Sequence, residues 1–259
     1  MKIVVCVKQV PDTETRVKIA ADGIGIAEGE INWIVSPYDE FAIEEALRLR
    51  EARSGEVVLV SAGPERVLTA LRSGLAMGAD SAVHVKDALL EKADPLATAR
   101  ALAAAVRTLG TVDLVLTGQQ GVGGDNGQVP GLLAEILDLP QVTVAVKIDV
   151  QVGRAVVERE IEGGRETWET TLPAVISAQK GLNEPRYASL KGIMAAKKKP
   201  VQTLDLAGLG LSVADVAPRT ETVAMELPPA RPAVRLIEGD PGTQAKELLR
   251  VLHEEAKVI

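Results

Sequence analysis

The chain has 259 residues, 46% of them apolar, enough for one large α/β core or a core with an appendage. A net charge of −7 and a pI near 5.1 argue against nucleic acid or an anionic membrane as the main partner, and 2% aromatic residues argue against a base-stacking platform. One cysteine, Cys6, rules out an internal disulfide, and with His84 and His253 well separated no metal-ligand spacing exists.

KIVVCVK (2–8) is a short β-branched run that predicts a buried strand; its apolar core is too short for a signal peptide, and no stretch approaches a membrane span, which points to a cytoplasmic chain. After a long connection, SPYDEFAIEEALRLREARSG (36–55) predicts a helix: Ser36 as cap, Pro37 at the first helical position, Asp39 three residues after the cap and Gly55 at the end. VVLVSAG (57–63), PERVLTALRSGLAMGAD (64–80), SAVHVK (81–86), DPLATARALAAAVRTLG (94–110) and DLVLTG (113–118) then alternate strand and helix, and another helix is expected near 128–138. This is the pattern of a doubly wound, mainly parallel sheet with helices on both faces. TVAVKIDV, RAVVEREIE and ETWETTL alternate with period two around Gly153 and Gly163-Gly164, predicting antiparallel hairpins at one edge, and PAVISA (173–178) returns to a buried strand. QKGLNEPRYASLKGIMAAKKKP (179–200) reads as a long polar loop. Beyond Pro200 the chain is Pro-rich, with prolines at 218, 228, 229, 232 and 241, before a short helix around 243–256. The expected division is therefore a domain over 1–199 and an extended arm over 200–259 that lies on something else.

Ligands of open α/β sheets bind beyond the carboxyl ends of the strands, where strand order reverses. The loops placed there are the segment after Cys6, Ser36–Asp39, Ala62-Gly63-Pro64, and Gly118-Gln119-Gln120-Gly121-Val122-Gly123-Gly124-Asp125-Asn126-Gly127-Gln128 with Val129. Glycines let backbone approach a phosphate, and Asp125 or Asn126 could bind a ribose hydroxyl or cap the next helix. The pattern is neither the Rossmann GxGxxG nor the Walker motif, so a tight turn with an Asx cap explains it equally well. Cys6 alone reads as a small buried hydrophobe, Lys197-Lys198-Lys199 as a solvated face or helix carboxyl terminus, and no nucleophile–base pair stands out around Ser36 or Ser61. The residues do not by themselves make the chain an enzyme.

LNEPRYASLKGIMAAKKK resembles the recognition loop of the electron transfer flavoprotein β subunit, and VEREIEGGRETWETTLPAVISA (157–178) resembles that family's signature segment. VCVKQVPD, SPYDEFAIEEALRL, VSAGP, LAMGAD and DLVLTGQQ extend the likeness over essentially the whole chain. The resemblance implies a heterodimer with an α subunit that carries most of the redox FAD, and an AMP buried in this chain. Matching motifs place the AMP against Cys6, Ser36, Pro37, Tyr38, Asp39, Ala62 and Gly118 to Val129. The family's recognition loop docks acyl-CoA and related dehydrogenases, with a leucine anchor matched by Leu190 beside Arg186 and Tyr187. A family glutamate that pairs with an arginine near the flavin is matched by Glu160. Electrons then pass to a quinone reductase or other acceptor, in the cytoplasm or, in a eukaryote, the mitochondrial matrix.

Two departures bear on these implications. Gly123, Gly124 and Gly127 stand where AMP-binding members carry acidic residues and an Asn, and DNGQVP is closer to bifurcating members, in which a second FAD replaces AMP. Ala195 stands where some members have a lysine. An ATP pyrophosphatase or synthetase on the same kind of fold would show an SGGxDS-type loop after the first strand, where this chain reads VKQVPD. A stress-type nucleotide-binding module would be a homodimer with no use for the arm.

Overall fold

Alternate residues of the buried strands face two different cores. In β1 (Lys2–Cys6), Ile3 and Val5 join one apolar cluster while Val4 and Cys6 join another, as the two-residue repeat of a strand requires. A small antiparallel pair follows, β2 (Gln9–Pro11) with β3 (Trp33–Val35), and then helix α1 (Pro37–Arg53). The chain continues through β4 (Glu56–Ala62), α2 (Val67–Met77), β5 (Ser81–Val85), α3 (Pro95–Thr108), β6 (Leu114–Gly118) and α4 (Val129–Leu137). β7 (Gln141–Gln151), β8 (Arg154–Ile161) and β9 (Gly164–Thr171) are hairpin strands whose turns place Gly153 and Gly163 at positive φ. β10 (Ala174–Ala178), α5 (Leu190–Ala196), β11 (Val201–Leu204) and α6 (Pro241–Arg250) are the remaining named elements. This computed structural model describes residues 1–231 and 233–259; Pro232, one of the prolines used to delineate the arm, lies outside the described residues.

Nine strands form one sheet in the order β11-β5-β4-β1-β6-β10-β7-β8-β9. The pairs from β11 to β7 are parallel, and β7-β8-β9 are antiparallel. One face is covered by Ile43 and Leu47 of α1, Leu71 and Leu75 of α2 and Ala196 of α5; the other by Ala101 and Val106 of α3 and Leu133 of α4. The doubly wound sheet with an antiparallel hairpin edge is thus as its sequence pattern predicts. Strand order reverses at β1, whose neighbours β4 and β6 lead away in opposite directions, so the carboxyl ends of β1, β4 and β6 lie side by side.

Three features depart from the sequence reading. The segment 179–200, read wholly as a loop, contains α5, a two-turn helix whose Ser189 hydroxyl accepts from the Gly192 N–H at 3.0 Å. Beyond Pro200, β11 adds an edge strand beside β5 in place of an arm. The compact unit accordingly extends over Met1–Ala224, and the second unit is Met225–Ile259. Within that second unit none of the described residues is buried, and α6 is tied by Arg235 and Arg250 to Glu247 and Glu255. No helix among the described residues is long and apolar enough to cross a membrane.

Gly55 joins α1 to β4 at φ 150°, and a Cβ there would fall inside the backbone of Met1. Gly55→Ala is therefore expected to cost about 1–3 kcal/mol, because backbone must move to admit one methyl group. Thermal unfolding compared with wild type checks it; an unchanged midpoint contradicts the packing described.

Candidate functional site

A cavity of about 290 Å³ opens where the three strands end. Its walls come from Cys6 and Lys8 after β1, Ala62, Gly63 and Pro64 after β4, Thr117 and Gly118 ending β6, and the start of α4. Pro95, Thr98 and Leu102 of α3, with Leu90 before it, supply a further wall. Arg66 completes the lining; it lies 3.6 Å over the Trp33 ring, donates to Gln9 Oε1 at 2.9 Å and meets Glu28 at 3.2 Å. The β2–β3 pair, which sequence reading left inside a long connection, thereby fixes one rim of the cavity.

Asp39 holds the floor together. Its Oδ2 accepts the Lys8 N–H at 2.6 Å and its Oδ1 accepts the Gly118 N–H at 2.8 Å, so one carboxyl joins the ends of β1 and β6. Burial pushes this carboxyl up to about 7, against the downward pull of those two N–H groups and of Lys8. Gly118 can only be glycine here, since a Cβ would collide with the Asp39 carboxylate and lie 2.7 Å from Tyr38 Cβ. Burial likewise pushes the Cys6 thiol up to about 12, so Cys6 lines the cavity as an unreactive small group. His84 Nε2 donates to the Gly63 carbonyl at 2.9 Å and Ser61 Oγ donates to the Val7 carbonyl at 2.5 Å; both steady lining segments.

Several polar groups left without partners belong to residues that line this space. Asp94, Ser189 and Asp240 cap α3, α5 and α6 through their side chains, whereas Gln128, before α4, makes no cap bond. The N–H groups of Gly127, Gln128 and Val129 donate to no other group among the described residues. Thr117 Oγ1 and Gln119 Oε1 are buried without a partner. Gly121 and Gly124 keep the loop bare beneath the Lys8 ammonium, and a Cβ at Gly121 would come within 2.8 Å of Lys8 Nζ. Free backbone donors at a helix amino terminus, a spare hydroxyl and amide oxygen, and an apolar back wall suit a phosphorylated organic ligand.

Of the residues nominated from sequence, Cys6, Asp39, Ala62, Gly118 to Gly121 and Asn126 to Val129 line the cavity. Ser36, Pro37 and Tyr38 do not: the Ser36 hydroxyl makes no cap bond and turns to the Gln120 carbonyl at 3.4 Å. Val122, Gly123, Gly124 and Asp125 form the outer turn of the loop, where Asp125 accepts from Gln120 Nε2 at 2.8 Å and leaves α4 uncapped. Lys8, Arg66 and Thr117 were missed. Lys8 falls within the segment after Cys6, and its position two residues past a switch-point strand is the signal that could have found it.

On the outer surface, α1 holds the segment before α5. Glu44, 3% exposed, accepts from Arg186 Nε at 2.8 Å, the Arg186 N–H at 3.1 Å and Arg48 Nε at 2.7 Å. Arg186 also pairs with Glu51 at 2.6 Å, Asn183 Nδ2 donates to Glu45 and to the Phe41 carbonyl at 3.0 Å each, and Arg48 donates to the Glu184 carbonyl at 3.2 Å. Burial raises the Glu44 carboxyl, yet its bonds to Arg186 and Arg48 outweigh it and the net shift is downward. Arg186, nominated as a docking group, is spent on anchoring. Tyr187 and Leu190 are 99% and 84% exposed. Beyond them α5 is seated on α2: a Cβ at Gly192 would strike the Ala76 carbonyl, and Lys199 Nζ caps the end of α2 at the carbonyls of Leu75 (3.0 Å) and Gly78 (3.1 Å). Glu160 is exposed near the β8–β9 turn and has no ion pair among the described residues.

Fold and cavity together define a doubly wound α/β chain whose glycine-rich strand-to-helix loop opens on the switch-point cleft. Residues 23–209 match the electron transfer flavoprotein domain. The chain is 41% identical to the electron transfer flavoprotein subunit beta of Bacillus subtilis, with all of both chains covered. It is 40% identical to that of Syntrophomonas wolfei, covering 100% of this chain and 98% of the relative, and 39% identical to that of Homo sapiens, covering 90% and 91%. The chain belongs to the electron transfer flavoprotein family, among the proteins named as its β subunit.

Two predictions follow from this geometry. In Asp39→Asn an amide N–H₂ must face one of two N–H donors, at a cost of about 1–3 kcal/mol at pH 5. Because the folded carboxyl keeps its proton up to about pH 7 and the unfolded one loses it near 3.8, the native state binds more protons in between and wild-type stability from this group falls as pH rises through that window. The gap between wild type and variant should therefore narrow from pH 5 to pH 8 in denaturant titrations; a widening gap contradicts the assignment. Glu44→Ala should cost about 1–3 kcal/mol and expose residues 180–189 to proteolysis several-fold faster, with α1 still folded; cleavage at the wild-type rate would show that the clamp is not needed.

Proposed function

We propose that the chain is the β subunit of a heterodimeric electron transfer flavoprotein, an electron carrier that contributes no bond-making residue of its own. The observation that carries this is the combination, in one member of the family, of a donor-lined cavity with an exposed apolar segment clamped on α1. In this reading an α subunit holds most of the redox FAD, which supplies one- and two-electron chemistry when bound. The present chain shields and orients it, and Glu160 meets a cation of the partner from the β8–β9 hairpin. The Met225–Ile259 unit, with no buried residue of its own among those described, packs on that partner.

The cavity holds a structural AMP. Its volume of about 290 Å³ lies just below the usual span of small-molecule sites, roughly 300–1,000 Å³, which suits a mononucleotide and would leave the flavin half of an FAD outside. A second FAD is the alternative, favoured by the bare turn at Gly123 and Gly124, where an added Cβ would meet nothing within 4 Å at Gly123 and only Lys8 Nζ (3.7 Å) and the Gly121 carbonyl (3.9 Å) at Gly124. Leu190, with Tyr187 beside it, docks acyl-CoA and related dehydrogenases. Electrons leave to a quinone reductase or another acceptor, in the cytoplasm or, in a eukaryote, the mitochondrial matrix. Pre-anchoring on both sides of this short span lowers the ordering cost of docking, which is how one leucine can dominate a small contact.

Mass spectrometry of nucleotide released from the denatured complex should find one AMP and one FAD; two FAD would reassign the cavity, and no adenine nucleotide would remove it from the proposal. Leu190→Ala should lower the rate of flavin reduction by a cognate dehydrogenase by about thirtyfold or more, the loss of one hot spot, with the complex intact. Undiminished coupling would sink the docking role.

A further inference from the structure

The nucleotide reading leaves open what neutralises the ligand's charge. Of the cavity's lining residues only Asp39 is acidic, and its two oxygens are already committed to the Lys8 and Gly118 N–H groups. Arg66 is committed as well, to Gln9, Glu28 and the Trp33 ring. Lys8 differs from both. Its backbone N–H is fixed by Asp39, but its ammonium makes no hydrogen bond or ion pair among the described residues, and it hangs over Gly121, where a side chain would collide with it, and Gly124, where one would touch it. Gly127, Gln128 and Val129, whose N–H groups are free, and Thr117, whose hydroxyl is buried without a partner, line the same cavity as Lys8.

We propose that Lys8 is the counter-ion of the ligand's phosphate, so that the cavity selects a phosphorylated nucleotide over the corresponding nucleoside. The inference rests on the nucleotide reading above and extends it to Lys8, a residue to which the sequence reading gave no role. The physical argument is one of division of labour. Backbone N–H groups and a helix amino terminus supply partial charges that orient a phosphate, while a full positive charge at the mouth offsets its dianion. A lysine suits this place better than an arginine, because a flexible stem can follow the phosphate over a loop made of glycines. An otherwise acidic chain of net charge −7 also needs such a local cation to draw an anion in.

The test uses the complex stripped of nucleotide and titrated calorimetrically with AMP and, separately, with adenosine, for wild type, Lys8→Gln and Lys8→Arg. Lys8 is exposed and its N–H bond to Asp39 survives both substitutions, so folding is preserved. Lys8→Gln should weaken AMP about ten- to a hundredfold while adenosine changes less than twofold, the loss expected for one charged hydrogen bond. Lys8→Arg should recover most of the AMP affinity, and the wild-type preference for AMP should shrink as salt rises. Equal effects on AMP and adenosine, or none on either, overturn the role of Lys8. Wild type that binds neither ligand overturns the nucleotide reading itself, which separates the two failures.

Discussion

Everything at the cleft depends on one buried carboxyl bridging two strand ends. β1 and β6 are neighbours only because the chain reverses its direction of travel across the sheet there, and parallel neighbours leave their last N–H groups without partners in the ladder. Asp39 satisfies one on each side, through Lys8 and Gly118. It can do so because it lies in the first turn of α1, directly after the chain has crossed from β3. That placement explains why Ser36 does not form the expected capping box: the residue that would complete it is turned toward the strands, and the Ser36 hydroxyl faces Gln120 instead. A local rule of helix initiation has yielded to a nonlocal one, as happens where a site is built.

Helix α1 has a second task at its other end. Its first turn sets the cavity floor, and Glu44, Glu45, Arg48 and Glu51, further along, hold the segment from Asn183 to Arg186. A pair of adjacent buried glutamates on a helix would cost several kcal/mol if left unpaired. Here each has a partner from the same stretch of chain, so the cost of burying them, which Arg48 of α1 offsets in part at Glu44, is fully offset when that stretch is in place. Loop position and helix burial are thus one cooperative unit, and the exposed Tyr187 and Leu190 are presented by it as fixed projections.

Much of this was legible in the sequence, and the unreadable parts share a cause. The two-residue alternation of Ile3, Val4, Val5 and Cys6 and the turn glycines Gly153 and Gly163 report on local periodicity, which a strand or hairpin expresses directly. The glycine-rich loop after β6 was placed at the cleft by topology, and the structure brings most of it there. What was missed depends on distant partners. α5 is short and contains Gly192, whose lack of a side chain lets it pack against the Ala76 carbonyl; β11 is four residues recruited by β5; β2 and β3 are three residues each. Arg186 was nominated as a docking group with Tyr187 and Leu190 from the likeness to the family's recognition loop, whereas its own environment comes from Glu44 and Glu51, 142 and 135 residues away.

The same distinction bears on how the two ends of the protein differ. In the first unit each exposed anchor is backed by buried structure, as Leu190 is by α5 on α2. In the Met225–Ile259 unit Val234 and Leu236 are 85% and 82% exposed and Leu248 and Leu249 about half, with ion pairs along α6 as its visible cohesion. Surface ion pairs of that kind contribute about 0–1 kcal/mol each, too little to order a segment that buries nothing. An apolar surface of this extent on a short amphipathic stretch gains its stability from being covered. The two units therefore differ in kind: on the first, Tyr187 and Leu190 project from a segment anchored to buried Glu44 and Glu45, and on the second the apolar side chains have no buried structure behind them among the described residues.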